Sequence, residues 1–167
     1  MASENEWQRR IFDNVTAKPY RFHTTWQLHA SPDRVFGALV DIATYPDWWP
    51  DVRSVRKIDD DTAEIVCRSS LPYRLTLRMR RDLQDERSGT LRVNLSGDLA
   101  GWLTGQVTAA QDATRLDIIQ LVDARKPLLR LLSPVARPLF RINHALMMHR
   151  GRDGLGTHLS APAGPAS

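Results

Sequence analysis

Between Tyr20 and Ala30 the chain alternates, with Tyr20, Phe22, Trp26 and Leu28 on one face and Arg21, His23, Gln27 and His29 on the other. A period of two is that of a half-buried strand. Ser31 and Pro32 follow as N-cap and first helical residue, where the missing proline N–H costs no bond. Val35, Phe36, Leu39 and Val40 then recur at helical spacing, and a second short helical turn is predicted over 42–45. Further strands are predicted over 52–58, 63–69, 73–80, 91–95, 102–109 and 115–123. The clearest sets Tyr73, Leu75, Leu77 and Met79 against Arg74, Thr76, Arg78 and Arg80. Polar turns at Asp59–Thr62 and Ser88–Gly89, and a reversal bracketed by Gly97 and Gly101, separate the strands. The last helix is predicted from Pro127 to about Arg150. Its Leu128, Leu131, Leu132, Val135, Leu139, Ile142 and Leu146 form a stripe at spacings of three and four. Pro134 and Pro138 should kink or split its first half, and Gly151 and Gly154 should stop it.

This order predicts a single α+β domain over residues 20–155. A lead-in (1–19) that can hold a short helix precedes it, and a disordered tail (156–167) rich in Ala, Pro, Gly and Ser follows. One antiparallel sheet of about seven strands buries its apolar face, and only the C-terminal helix is long enough to cover it. A curved sheet wrapped on one helix leaves space between them unless large side chains fill it. The segment Asp41–Pro50 stands out as an aromatic knot, with Trp48 and Trp49 side by side, Tyr45 close by and prolines at 46 and 50. Each Trp buries on the order of 150–250 Å². Such rings either plug a core or line a pocket.

Composition narrows the classes. The chain has 167 residues, 42% hydrophobic and 25% charged, as in an ordinary globular protein. No stretch approaches the ~20 apolar residues of a membrane span. The start of the chain is polar and acidic, unlike a secretory signal, so a cytoplasmic location is expected. Cys67 is the one cysteine, which excludes an intrachain disulfide and suits a reducing compartment. The net charge of +4 comes from arginines, since Lys18, Lys57 and Lys126 are the only lysines. Those arginines are scattered rather than interleaved with aromatics, so nucleic acid is not an expected partner.

The helix entry Ala30–Phe36, Asp41 and Tyr45–Pro50, the Gly97–Gly101 segment, and Pro127–Leu132 leading to Asn143-His144, Met148 and Gly151 occur in a familiar order. Together they resemble the START-like, or helix-grip, superfamily (SRPBCC), and within it the bacterial polyketide cyclase/dehydrase-like branch. The resemblance runs from Tyr20 to about Leu155. It implies two short helices between the first two strands and a cavity between sheet and long helix for an apolar or amphipathic small molecule. It is specific for the fold more than for the function, because the superfamily includes lipid carriers, plant hormone receptors, aromatase/cyclases, ring hydroxylases and stress proteins. Trp48 and Trp49 match its aromatic pair near the cavity mouth, and Asn143 and His144 a polar pair on the long helix. Trp26, Tyr73, Leu75, Leu77 and Trp102 from the strands, with Phe140, Met147 and Met148 from the helix, complete the expected lining. Thr104 and Gln106 share the Trp102 face, which therefore either meets solvent or serves a ligand with polar groups.

Candidate chemistry is sparse. No catalytic residue is assigned; His144 is the one candidate, as a base of near-neutral pKa, although no acidic residue three or four positions away orients it. Arg74, Arg78 and Arg80 read as a solvated face, the alternative being an arginine that binds a carboxylate or enolate in the pocket. His23 and His29 lie too far apart to share a metal, and no cofactor or metal is expected. Cys67 reads as a buried, inert thiol. Glycine-rich phosphate loops, dinucleotide fingerprints and nucleophile elbows are missing from the sequence. The expected function is binding of a lipid, polyketide or isoprenoid-like molecule as a carrier or sequestering protein. The alternative is a polyketide aromatase/cyclase or dehydrase using the same cavity. A third reading has the aromatic knot or the arginine-rich helix touch a partner or a membrane surface transiently. Ligand identity and oligomeric state are not legible.

Overall fold

The computed structural model describes residues 19–68, 74–125 and 133–161. Its strands are β1 (Tyr20–Leu28), β2 (Val52–Lys57), β3 (Thr62–Arg68), β4 (Arg74–Asp85), β5 (Thr90–Gly97), β6 (Leu99–Ala109) and β7 (Thr114–Ala124). Among the described residues these seven form one curved antiparallel sheet in the order β1-β7-β6-β5-β4-β3-β2. Helix α1 (Pro32–Val40), a 3-10 turn (Ile42–Thr44) and the single-turn helix α2 (Tyr45–Trp48) lie between β1 and β2, and α3 (Ser133–Ser160) closes the chain. This is the helix-grip arrangement that the resemblance implies.

The local signals work as expected at the front of the domain. Ser31 is the N-cap of α1, its hydroxyl accepting from Arg34 N–H, with Pro32 in the first turn. Strand β1 buries Tyr20, Trp26 and Leu28 and exposes Arg21, His23 and Gln27. In β4, Leu75 is buried and Leu77 and Met79 are half-buried, while Arg74, Thr76, Arg78 and Arg80 face outward. The outward set is the solvated face. Register shifts at Val52/Ser54 in β2 and at Arg81/Leu83 in β4 mark irregularities of the kind that bend a strand and deepen a sheet's curl.

Helix α3 departs from expectation in where it ends and in which face it packs. The predicted residues 127–132 lie outside the described residues, and the helix passes Gly151 and Gly154 to end at Ser160, so residues 156–160 are helical rather than tail. Pro138 lies within it, near enough to the start that one backbone bond is forfeited. Most consequentially, Leu139, Ile142 and Leu146 of the predicted stripe are exposed, at 47%, 58% and 45%. The packed face is Phe140, Asn143, Met148, Gly151, Leu155 and Leu159. A helix over a hollow presents fewer and stranger side chains than one over a solid core, and the large aliphatics fall elsewhere.

Glycine explains why α3 does not stop. A Cβ on Gly154 would lie 1.7 Å from the carbonyl oxygen of Trp48, and one on Gly151 would lie 2.6 Å from Trp49 Cε2. Both positions are notches into which the aromatic knot fits, not helix terminators. Trp49 Nε1–H donates to the Met147 carbonyl at 3.0 Å, which fixes the ring along the helix. Beside the knot, buried Asp51 takes a two-pronged pair of hydrogen bonds from Arg150, at 2.8 and 2.5 Å. Removing one partner of such a pair leaves an uncompensated charge and costs on the order of 3 kcal/mol or more.

Gly154→Ala should therefore destabilise the domain by about 3 kcal/mol, because the clash is with backbone. Gly156→Ala, two residues on, meets nothing within 4 Å and should stabilise it by about 0.5 kcal/mol through helix propensity. Thermal or denaturant unfolding of the two variants checks this; equal effects would show that the notch is not a constraint.

Candidate functional site

Alternation along seven strands turns a set of leucines, isoleucines and valines to the inner face of the sheet, and α3 spans it. Between them lies a cavity of about 160 Å³. Its sheet wall includes Leu75 and Leu77 (β4), Leu91 and Leu95 (β5), Leu103 (β6), and Leu116, Ile118 and Val122 (β7). Trp26, Leu39, Tyr45 and Trp49 close one side, and Phe140, Asn143, His144, Met147 and Met148 form the helical roof. An apolar cavity of about 150 Å³ is known to stay dry and to accept a benzene ring, so this one has room for about one ring.

The aromatic knot is built around Tyr45, whose hydroxyl donates to the Leu39 carbonyl at 2.8 Å. Burial raises the phenol's pKa, so it stays neutral. Trp48 and Trp49 stack with centroids 5.4 Å apart and planes 20° apart, and Trp26 meets Trp49 edge-on at 5.8 Å. The two neighbours divide the work. Trp49 and Trp26 line the cavity, whereas Trp48 is buried in the core and does not.

A second ring cluster anchors the helix to β1: Tyr20 and Phe140 at 4.7 Å, and Phe22 stacked on His144 at 3.8 Å with planes 14° apart. His144 Nε2 lies 2.5 Å from Oε1 of Gln120 on β7. A carboxamide oxygen only accepts, so Nε2 carries the hydrogen and Nδ1 the lone pair. Burial lowers the imidazole from 6.5 to about 4, which leaves it neutral and weakly basic at pH 7. Asn143, only 4% exposed, sends Nδ2 to Met147 Sδ at 3.5 Å, while its Oδ1 meets no protein donor.

Of the residues expected to line the cavity, Trp26, Trp49, Leu75, Leu77, Phe140, Asn143, His144, Met147 and Met148 do so. Tyr73 lies outside the described residues. Trp48 is displaced into the core, and Trp102 is on the wrong face. It pairs with Asn94 and Leu121 on the outer side of the sheet, with Arg92 5.8 Å above its ring, because the inner positions of β6 are Leu99, Gly101, Leu103, Gly105 and Val107. Thr104 and Gln106 go with it, so that face of the strand is not lining. Besides the aliphatic wall and Tyr45, Gln120 and Cys67 are additions. Gln120 sits one period from Ile118 and Val122, an alternation that could have revealed it. Cys67 is buried in the wall, its thiol pushed up to about 12, mainly by burial, with the Asp51 charge adding to it. No group of three or more His, Cys, Asp or Glu is placed to hold a metal ion among the described residues, and no described helix is long and apolar enough to cross a membrane.

A sheet gripping one long helix over an apolar cavity defines a START-like protein of the helix-grip class. The chain belongs to the family described as "Polyketide cyclase / dehydrase and lipid transport", whose model matches residues 28–141. The fold is shared with the Zhui aromatase/cyclase of Streptomyces sp. R1128, at TM-score 0.72 and 14% identity over 84% of this chain and 93% of that one. It is shared too with a START superfamily protein of Mycobacterium smegmatis, at TM-score 0.66 and 14% identity over 83% and 96%. No curated protein matches the sequence.

The lowered pKa of His144 sets a pH dependence. The unfolded chain binds its proton near 6.5 and the folded chain only near 4, so the imidazole's contribution is complete above pH 6.5 and is lost as pH falls through that window. Its full extent is about 3 kcal/mol. His144→Phe keeps the stack on Phe22 without titrating. Denaturant unfolding between pH 7 and 4.5 should show a shallower loss of stability in the variant than in the parent; parallel curves would contradict the assignment.

Proposed function

We propose that this protein binds a hydrophobic or amphipathic small molecule between the sheet and α3, as a carrier or sequestering protein. The observation that carries the reading is the cavity itself: apolar on most sides, walled by Trp26 and Trp49, and with Gln120, Asn143 and His144 gathered at a polar end among the described residues. Concave apolar sites with a few convergent polar groups are the usual form of a small-molecule site. The methionines of the roof are unbranched and polarizable, which suits them to adapt to a guest. Lipid, polyketide and isoprenoid-like molecules are the candidate ligands, and a cytoplasmic location fits the reading.

The same polar end supports a second reading, an aromatase/cyclase or dehydrase acting on a polyketide, in keeping with the similarity to Zhui aromatase/cyclase. Such chemistry can run on positioning and a few hydrogen-bond donors. A neutral imidazole with a pKa of about 4 is a weak base at pH 7, which favours binding over proton abstraction by His144.

Purification under native conditions, solvent extraction and mass spectrometry should yield a specific low-mass compound from the parent protein. Ile118→Phe, which pushes bulk into the cavity from the middle of β7, should yield at least tenfold less while remaining folded. Equal recovery from both would contradict binding in this cavity. Returning the extracted compound to the protein separates the two readings, since a carrier leaves its mass unchanged and an enzyme does not.

A further inference from the structure

The cavity does not end at its aromatic side. Leu39, Tyr45, Met79, Leu91 and Leu103 line it and also line a second chamber, of about 450 Å³. This chamber lies between the 3-10 turn and strands β2 to β4, with Val55, Ala63 and Val93 in its wall, and no described residue of α3 borders it. The partition between the two spaces is built from side chains. Tyr45 is pinned there by its hydroxyl, which donates to the Leu39 carbonyl. Leu39, Met79 and Leu103 are only half-buried, although they face the inside of the grip, because hollow space borders them. Of these, Met79 is unbranched and adapts its shape to a neighbour. At the mouth of the second chamber the exposed ionic groups are spent on one another. Lys57 binds Asp60 at 2.7 Å, and Arg81 binds Asp61 at 2.6 Å and Gln84 at 2.7 Å. With Asp41 and Asp59, four carboxylates stand there against two cations. An anionic group brought to this mouth meets like charge.

Resting on the binding reading above, we propose that the site has two chambers and takes an elongated, uncharged molecule, longer than one ring and apolar along its middle. One end seats in the inner cavity under α3, and the remainder passes Met79 into the outer chamber. The inner 160 Å³ has room for about one ring, whereas the outer chamber is the larger of the two. Fatty acids and phosphorylated lipids are disfavoured, because their charged end would reach either the carboxylate-rich mouth or the apolar interior. The guest enters beside the 3-10 turn, so α3 stays anchored on the aromatic knot throughout.

Isothermal titration with four phenols of increasing length tests this: 4-ethylphenol, 4-butylphenol, 4-hexylphenol and 4-octylphenol. On the parent, affinity should rise along the whole series, by about fourfold for each methylene that finds apolar wall. The carboxylate analogue 6-(4-hydroxyphenyl)hexanoate should bind on the order of tenfold weaker than 4-hexylphenol. Val55→Trp, which adds bulk to the outer chamber alone, should flatten the series, so that 4-octylphenol binds no tighter than 4-butylphenol. Ala43→Trp, on the exposed turn, gives the same readout should Val55→Trp fail to fold. If the parent's affinity stops rising by 4-butylphenol, or if a folded variant keeps the parent's series, the second chamber is overturned while the inner-cavity reading stands. A carboxylate that matches 4-hexylphenol overturns the selection against anions. If none of the four phenols binds, both readings fall.

Discussion

The separation between α3 and the sheet is set by two missing side chains. At Gly154 the helix backbone meets the Trp48 carbonyl, and at Gly151 it meets the Trp49 indole, so closely that even a methyl group at either place would strike the knot. The indole also shares the Met147 carbonyl, one turn before Gly151, and Arg150 reaches past it to the buried Asp51. Packed interiors transmit such displacements rather than absorb them. Were the helix pushed outward here, Met147 and Met148 would lift from the sheet and the cavity would lose its roof. The constraint thus serves stability and the proposed binding site with the same atoms.

Around that anchor the cavity's character is decided by what the fold withholds. Strand alternation sends Arg74, Arg78 and Arg80 of β4 outward, and among the described residues the inner wall of the cavity carries no charged side chain. Tyr45, Cys67 and His144 are all held in their neutral forms by burial. What remains is an apolar space with a small neutral polar end. On the proposed reading, a site of this kind favours partition and orientation of a guest over acid–base chemistry.

Much of the architecture was legible because strands and caps announce themselves locally. The alternation at 20–28 and 74–80 and the Ser31-Pro32 cap each require only neighbours to interpret. The long helix was harder. Its most conspicuous apolar residues, Leu139, Ile142 and Leu146, face outward, while its working face is Phe140, Asn143, Met148 and two glycines. Periodicity weighs bulk, and a face that borders a hollow and receives a neighbouring indole carries little bulk. The same reason misread Gly151 and Gly154 as a stop: a C-cap and a packing notch use the same residue, and only the partner, Trp48-Trp49, tells them apart. Trp102 was misplaced because aromatic content suggested lining, whereas register puts it opposite Asn94 and Leu121 on the outer face. Gln120, held by His144 across 24 residues of sequence, had no local signal beyond its place in the alternation.

Tryptophan geometry offers the most direct test of the central claim, that a guest enters between the knot, the sheet and α3. Trp26 and Trp49 line the cavity, whereas Trp102 is on the opposite face of the same sheet. In a two-dimensional nitrogen–proton NMR spectrum each indole N–H gives its own signal, assignable by single Trp→Phe variants. On titration with 4-ethylphenol or the extracted compound, the signals of Trp26 and Trp49 should move together and saturate while that of Trp102 stays fixed. Movement of Trp102 with Trp26 and Trp49 unchanged would place the ligand outside the cavity and contradict the account.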